Sequence, residues 1–272
     1  MLLIFMRRYA WLSDTHMNLS ALPFLKRLHL MGVKKMGADG IFITGDISSG
    51  DWLESDLRFL ARHFDGPIYF VLGNHDYHKR HIASVHGDIR RVCEDHPNLV
   101  WMTEAGIVPL TEDVALIGTE GWYDAMHGDE KLLRYTTDWF LTFDFLHKGG
   151  HEQRVELWRA MAQESARMIE ERLTEALDSY KTVYIITHFP PWKEATRDVG
   201  TALEKFWLPY NTNVAMGEAI ERAADGRRKK RVIVLAGHTH TPCRVRVSNS
   251  IECAVAGASY FGRIRPESTI IV

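Results

Sequence analysis

The sequence predicts an α/β fold built as one domain over residues 1–272, and three observations support this class. The length of 272 residues suits one large α/β domain better than two independent ones. Short apolar segments of strand length alternate along the chain with amphipathic segments of helix length, which is typical of α/β proteins. Because 46% of the residues are hydrophobic, the chain can bury a substantial core.

Six apolar segments are predicted strands, since each is short, rich in branched or aromatic residues and followed by turn or polar residues. They cover residues 9–13, 41–44, 67–72, 99–102, 182–186 and 232–236. Residues 106–110 and 114–118 are predicted to form a hairpin. Further short strands are expected at 244–247, 251–255 and 269–272.

Helical spacing of apolar residues predicts the helices between these strands. One helix ends near Lys35, one begins at a cap provided by Asp51, and others cover residues 84–93, 152–179 and 213–224. The clearest is 152–179, which carries one apolar face: Val155, Trp158, Ala162, Ala166, Ile169, Leu173 and Leu177.

Composition restricts the class of partner and the compartment. The net charge of -2 and the pI of 6.7 argue against a nucleic-acid partner. No apolar run approaches the length of a membrane span, so no membrane partner is expected. The three cysteines, Cys93, Cys243 and Cys253, are odd in number and form no Cys-x-x-Cys pair, which predicts a reducing cytoplasm. No motif specifies an oligomeric state.

Five apolar strands end in side chains that can bind metal ions. These residues are Asp14 and His16, Asp46, Asn74 and His75, His188, and His238 and His240. Single polar residues at strand ends are ordinary loop chemistry, but five ends that carry only Asp, Asn and His are not. Because the carboxyl ends of parallel strands share one edge of a sheet, we expect these side chains to converge there.

The ligand types predict the kind of metal site. Carboxylate and amide oxygens with imidazole nitrogens, and no thiolate, suit Mn²⁺, Fe, Zn²⁺ or Ni²⁺ rather than a closed structural zinc site. There are too many ligands for one tetrahedral ion, whereas two divalent ions bridged by a carboxylate would use them. Such a pair polarises a phosphoryl group and activates a water molecule for attack.

The ordered motifs resemble those of the calcineurin-like metallophosphoesterases. They are Asp14-x-His16, Gly45-Asp46, Gly73-Asn74-His75-Asp76, His188 and Gly237-His238-x-His240, and they extend from residue 14 to residue 240. The resemblance implies a two-sheet mixed β-sandwich flanked by helices in four layers. It also implies that the short strands near the C-terminus belong to the second sheet.

The same resemblance implies a role for each residue of the motifs. Asp14, His16 and His240 would bind the first metal ion, and Asn74, His188 and His238 the second. Asp46 would bridge the two ions. His75 would contact the phosphate and protonate the leaving oxygen. Asp76 would orient His75 by accepting a hydrogen bond from it.

Residues of about 120–150 interrupt the strand and helix pattern and are predicted to be an aromatic, helix-containing insertion over the active-site edge. Trp122 and Tyr123 either stack on a substrate base or pack the insertion onto the domain. Residues 192–210 are a second segment expected to influence substrate selection. The histidines near these loops that could reach a substrate are His78, His81, His86 and His127.

The sequence therefore predicts a dinuclear metal-dependent phosphoesterase acting on a small phosphate ester, a mono- or diester of nucleotide-like type included. Mn²⁺ is the expected metal. Two alternatives remain open at this stage: a non-catalytic metal-binding interaction module on the same fold, and a nuclease with the same metal centre. The intact set of ligands with His75 disfavours the module, and the absence of a basic stripe disfavours the nuclease.

Overall fold

The computed structural model describes residues 7–19, 23–196, 206–258 and 268–272, and within these ranges eleven strands form two sheets. In chain order the strands are β1 (Arg8–Leu12), β2 (Gly40–Thr44), β3 (Ile68–Val71), β4 (Leu99–Trp101), β5 (Val108–Pro109), β6 (Val114–Gly118), β7 (Thr182–Ile186), β8 (Arg231–Ala236), β9 (Cys243–Arg246), β10 (Ile251–Val255) and β11 (Ser268–Ile271). Every strand expected from the apolar segments is present, although most bounds shift by a residue or two.

The first sheet has the order β11-β1-β2-β3-β4, and the second has the order β5-β6-β7-β8-β10-β9. Strands β1 to β4 run parallel, as do β6, β7, β8 and β10. Strand β11 pairs antiparallel with β1, with Arg8 opposite Ile271, so it lies in the first sheet. The expectation that all the C-terminal strands join the second sheet is therefore wrong for β11, because the chain returns to the open edge of β1.

The described helices lie between the strands, as the apolar spacing predicts. They are α1 (Pro23–Lys35), α2 (Gly50–His63), α3 (Ile82–Asp95), α4 (Met102–Ala105), α5 (Thr137–Leu141), α6 (Phe143–Leu146), α7 (His151–Ser179) and α8 (Val214–Ala224). The cap position of α2 is Ser49, and Asp51 lies in the first turn instead. Residue 102, expected to end a strand, begins the short helix α4. None of the described helices has the length and apolarity needed to cross a membrane.

Alternate residues of the parallel strands point to opposite sides of each sheet, and this alternation builds four layers. Tyr9 and Phe42, whose rings stack at 4.6 Å, lie in the core between the two sheets. Their neighbours in sequence, such as Ile41, pack outward against α1, α2 and α3. The outer face of the second sheet is covered by α7 and α8. The predicted apolar face of α7 is buried along its length. The two-sheet sandwich flanked by helices is thus confirmed.

The segment of residues 120–150 contains α5, α6 and a 3-10 helix at Glu130–Tyr135. Trp122 and Tyr123 are buried, and the ring of Trp122 stacks on that of Phe189 at 5.9 Å. Phe145 is also buried, with its ring 4.0 Å from that of Trp158 on α7. Packing of Trp122 and Tyr123 into the protein is confirmed, and neither ring is available to stack on a base in this conformation.

Candidate metal centre

The loops that follow five strands meet at one place, which lies between the two sheets rather than at the edge of a single sheet. Within the first sheet, the Asp14 N–H donates to the Gly45 carbonyl and the His16 N–H to the Asp46 carbonyl, each at 3.0 Å. Between the sheets, the His238 N–H donates to Asp14 Oδ1 at 3.1 Å. These backbone contacts hold the chain segments that carry the candidate ligands in register.

Four of the predicted ligands form one compact cluster: Asp14, His16, Asp46 and His240. One potential ligand atom from each lies within 4.8 Å of all the others. His240 Nε2 is 3.2 Å from Asp14 Oδ1 and 3.4 Å from His16 Nε2. Burial acts to raise the pKa of Asp14, but the hydrogen bonds from His240 and Ser13 keep it well below its usual range.

Asn74 and His188 form the second half of the centre. His188 Nδ1 donates to the Thr44 carbonyl at 2.9 Å, and burial lowers the pKa of His188, which favours the neutral imidazole; in that form the proton is on Nδ1 and Nε2 is an acceptor. That Nε2 lies 3.0 Å from Asn74 Oδ1. Two hydrogen-bond acceptors that face each other at this distance repel, unless a cation binds both.

Asp46 lies between the two groups and turns one carboxylate oxygen toward each. Its Oδ1 is 3.5 Å from His188 Nε2, and its Oδ2 is 3.9 Å from His16 Nε2. Burial, together with the neighbouring carboxylates Asp14 and Asp76, raises the pKa of Asp46 well above its ordinary value. This arrangement is that expected of a carboxylate shared by two cations.

His238 is held by its backbone and by its ring. Its Nε2 donates to the Tyr210 carbonyl at 2.8 Å, and burial, with the neighbouring His188, lowers the pKa of His238 to about 3. The neutral ring therefore carries its proton on Nε2, which leaves Nδ1 as the ligand atom. The histidine is thus committed to one tautomer before any metal binds.

The distances within the centre fit divalent metal ions. Ligand atoms bound about 2.1 Å from one ion lie about 3.0 Å apart in an octahedron and about 3.4 Å apart in a tetrahedron. The Asn74–His188 and His16–His240 separations are 3.0 and 3.4 Å. The oxygen and imidazole ligands, without thiolate, suit Mn²⁺, Fe, Zn²⁺ or Ni²⁺. The residues present therefore fit a pair of such ions.

The backbone around the centre is strained at the ligands themselves. Among the described residues, seven other than glycine have positive φ, and five of these are candidate ligands: Asp14, His16, Asp46, His238 and His240. Positive φ is costly for residues with a side chain and is concentrated at functional sites. The fold therefore bears this strain at the residues that the motifs single out.

Two glycines of the motifs have no room for a side chain. A Cβ on Gly73 would collide with the Asp46 carboxylate and the Asp46 backbone nitrogen. A Cβ on Gly237 would collide with Ser13 Oγ and Asp14 Oδ2. The glycines let neighbouring loops approach closely enough for the carboxylates to reach the centre.

His75 lies beside the metal-binding cluster and is partly accessible. Its side chain is 26% exposed, and its Nε2 is 3.8 Å from Asp46 Oδ2. Its ring lies 4.9 Å from that of His16 and 4.5 Å from that of His78. Burial and the neighbouring histidines lower the pKa of His75 well below its ordinary value. This position beside the candidate ligands is the one that the motif resemblance implies.

Asp76 has hydrogen-bond partners that its predicted role did not include. Its carboxylate accepts hydrogen bonds from three backbone N–H groups, of Gly73 at 2.9 Å, Ser48 at 2.8 Å and Ile47 at 3.2 Å. The 3-10 turn at His75–Tyr77 points the Asp76 side chain toward the loop after β2. Burial raises the pKa of Asp76 to about 7, against the effect of these hydrogen bonds. Asp76 therefore joins two ligand-bearing loops, and its role in orienting the His75 ring stays a prediction.

Asp138, in α5 of the insertion, contacts the centre and was not predicted. Its Oδ1 accepts from Asn74 Nδ2 at 2.9 Å and from His78 Nε2 at 2.7 Å, and its Oδ2 accepts from the Tyr123 hydroxyl at 3.1 Å. Burial acts to raise the pKa of Asp138, but the bonds from His78 and Asn74 lower it to about 2. No local motif marks this aspartate, so only the fold reveals it.

Three of the other histidines expected near a substrate have partners within the protein. His78 is buried against Asp138, beside His75. His86 Nε2 is hydrogen-bonded with the Tyr77 hydroxyl at 3.0 Å, and His81 Nδ1 lies 3.3 Å from Asp144 Oδ2. Access of His127 to a substrate stays a prediction.

The fold and the site together define a class: a two-sheet α/β sandwich whose strand ends carry a carboxylate and imidazole metal centre. A family model described as calcineurin-like phosphoesterase matches residues 7–242. The chain belongs to this family, and the resemblance read from its motifs is confirmed. A comparison with curated proteins gives no match.

Several solved structures share the fold. Phosphopantetheinyl hydrolase (PptH) from Mycobacterium tuberculosis superposes with a TM-score of 0.67 at 16% identity, over 92% of this chain and 89% of that one. A dimetal phosphatase from Danio rerio gives 0.55 at 13% identity, over 92% and 87%. The protein TT1561 of Thermus thermophilus gives 0.56 at 15% identity, over 98% of both chains. At these identities the likeness establishes the fold.

Proposed function

We propose that the protein is a dinuclear metal-dependent phosphoesterase that hydrolyses a small phosphate ester. The observation that carries the proposal is the pair of facing ligand groups joined by Asp46, with its two carboxylate oxygens 3.5 and 3.9 Å from His188 and His16. Membership of the calcineurin-like phosphoesterase family supports the same reaction class. The proposed ligands are Asp14, His16, Asp46, Asn74, His188, His238 and His240.

Two divalent ions at this centre, with Mn²⁺ the expected metal, would polarise the phosphoryl group and lower the pKa of an attacking water. The chain's own residues would position the ester and protonate its leaving oxygen. His75 Nε2 lies 3.8 Å from Asp46 Oδ2, so an ester bound at the metal centre would contact the His75 ring. Burial lowers the pKa of His75 and favours the neutral imidazole, whereas the negative charge of a bound phosphate favours the protonated form. Protonated His75 donates its proton to the leaving oxygen.

The substrate is proposed to be small, because the net charge of -2 gives no electrostatic basis for binding a polyanion. Mono- and diesters, nucleotide-like ones included, fit this centre, since the ions contact only the phosphoryl group. Residues 120–150 and 192–210 are proposed to select the ester; of the second segment, residues 197–205 lie outside the described part. The three free cysteines support a reducing, cytoplasmic setting.

Hydrolysis of chromogenic phosphomonoesters and phosphodiesters tests the proposal. We expect no activity after chelation and activity on restoring Mn²⁺, with two ions bound per chain by elemental analysis. His75→Ala should lower kcat by about 10²–10⁴-fold, the usual contribution of a general acid, while metal content is unchanged. A fully loaded protein that cleaves none of these esters above background would contradict the proposal and favour the interaction module. A rate that rises with nucleic-acid length and falls steeply with salt would favour the nuclease.

A further inference from the structure

The insertion contacts the metal centre through one buried carboxylate. Asp138 lies in α5, 64 positions after Asn74 in the chain, yet both residues are buried and hydrogen-bonded to each other. The contact joins a segment without any metal-binding motif to a candidate ligand of the second ion. None of the motifs read from the sequence accounts for this residue.

The chemistry of the contact determines the orientation of the Asn74 amide. An ionised carboxylate can only accept hydrogen bonds, so the Asn74 group that faces Asp138 must be the NH₂ donor. The carbonyl Oδ1 is then directed to the opposite side, where it lies 3.0 Å from His188 Nε2. Oxygen is the end of the amide that binds metal ions, so Asp138 selects the productive orientation.

The same carboxylate is itself held firmly. His78 Nε2 donates to Oδ1 at 2.7 Å, and the Tyr123 hydroxyl donates to Oδ2 at 3.1 Å. Tyr123 is buried against Trp158 of α7, so the carboxylate is anchored to the helix layer of the protein. A support that is buried and bonded on both oxygens restricts a ligand more than one exposed to water does.

We propose that Asp138 is a positioning residue of the metal centre: it fixes the Asn74 amide with Oδ1 toward the second ion and so sets the affinity for that ion. The inference rests on the proposed dinuclear site and assigns the insertion a part in metal binding. Asp138 touches neither ion nor substrate and acts through Asn74.

The test is a Mn²⁺ titration of the full chain, followed by electron paramagnetic resonance. The unbound ion signal counts the ions bound, and the spin-coupled signal of a Mn²⁺ pair reports that both sites are filled. We expect Asp138→Ala to weaken binding of the second ion by about 10–100-fold, as is usual for loss of a group that supports a ligand, with the first ion retained. Asp144→Ala is the matched control, because Asp144 belongs to the same insertion but accepts from the Ile82 N–H at 2.7 Å; it should bind both ions as the parent does.

A double-mutant cycle distinguishes positioning from a general loss of structure. If Asp138 acts through Asn74, then Asn74→Ala and the Asn74→Ala/Asp138→Ala double variant should bind the second ion equally weakly. An equal further loss from Asp138→Ala in both backgrounds overturns the proposal. So does a parent protein that binds only one ion.

Asp138→Asn keeps the test decisive if Asp138→Ala does not fold. Its amide keeps an oxygen for Asn74 and His78 and can donate to the Tyr123 oxygen, but it lacks the charge that strengthens the hydrogen bonds about twofold. We expect a smaller loss of the second ion, of about 3–10-fold. Parent-like binding in this variant overturns the proposal. Hydrolysis is not part of this readout, so two ions bound without turnover would contradict the proposed function alone.

Discussion

At the scale of single residues, the centre depends on close approach as much as on ligand chemistry. Gly73 occupies the position at which any Cβ would meet Asp46, the residue shared by both ligand groups. Three backbone N–H groups from two loops converge on Asp76. The shape of the centre therefore rests on residues that need not touch a metal ion.

Gly73→Ala is expected to lower both metal affinity and stability. The added methyl group must displace the Asp46 carboxylate or its backbone, and overpacking of this kind costs about 1–3 kcal/mol. Elemental analysis and urea unfolding measure the two effects. Gly87→Ala, in the middle of α3 with no atom within 4 Å of its Cβ, should instead stabilise by up to about 1 kcal/mol. Equal effects at both positions would contradict the steric argument.

Asp76→Ala is expected to lower the free energy of unfolding by about 2–5 kcal/mol, because it leaves three buried N–H groups without their acceptor. Urea unfolding of the metal-free protein measures this loss. Asp95→Ala is the control, since it removes only a surface ion pair with Arg58 worth about 0–1 kcal/mol. Unchanged stability in Asp76→Ala, with altered pH dependence of turnover, would support the orienting role.

The sequence located the candidate ligands but not their supports. Strand periodicity followed by Asp, Asn or His is a local signal, and the parallel strands brought Asp14, Asp46 and Asn74 together. Adjacency suggested that Asp76 contacts His75, but the turn directs its side chain to another loop. Asp138 carries no local signal, since its contact with Asn74 exists only after the insertion packs.

At the scale of elements, a side chain from the loop after β6 helps to cap the distant helix α8. Asp124 lies in the segment that follows strand β6, and it accepts a hydrogen bond from the Ala215 N–H in the first turn of α8 at 3.0 Å. Asn213 is the N-cap residue of the same helix and accepts a hydrogen bond from the Met216 N–H at 2.9 Å. Two side chains therefore hold the start of α8. This helix follows Tyr210, whose carbonyl accepts a hydrogen bond from His238.

Asp124→Ala is expected to destabilise the protein by about 1–3 kcal/mol, because the partly buried Ala215 N–H at the start of α8 loses its acceptor, a buried carboxylate. Thermal or urea unfolding measures the change. Asp129→Ala removes an exposed cap of the 3-10 helix Glu130–Tyr135 and should cost about 0.5–1 kcal/mol. A larger loss at Asp129 than at Asp124 would show that burial does not set the cost.

Strand pairing was the part of the architecture least accessible to sequence reasoning. The short apolar segment 269–272 predicted a strand correctly but contained nothing about which sheet edge it joins. Its pairing with β1 depends on the path of the whole chain. The division into two sheets came from the family resemblance, because apolar strands in either sheet read alike.

At the scale of the whole molecule, the candidate ligands come from both sheets. Asp14, Asp46 and Asn74 follow strands of the first sheet, whereas His188 and His238 follow strands of the second. Bound ions would therefore tie together the two halves of the sandwich. Because the unfolded chain does not hold these residues together, ion binding would stabilise only the folded state.

Chelation is expected to lower the melting temperature, and Mn²⁺ is expected to restore it. At an ion concentration about 100 times the dissociation constant, binding of each ion to the folded state adds about 2.7 kcal/mol. For a chain of this size that corresponds to a shift of about 5–10 °C. Differential scanning calorimetry with and without chelator measures it, and Mg²⁺ serves as a weaker-binding comparison. No shift in a protein shown to release its ions would contradict the link.

Two hydrogen bonds cross between the sheets and bear on the rate of metal release. They run from the His238 N–H to Asp14 and from His188 Nδ1 to the Thr44 carbonyl. If an ion held from both sheets leaves only when they separate, that motion must break these bonds. The rate constant of ion exchange would then follow the opening of the sandwich itself. A radioisotope exchange experiment would report a large-scale fluctuation from a single bound atom, without a label on the protein.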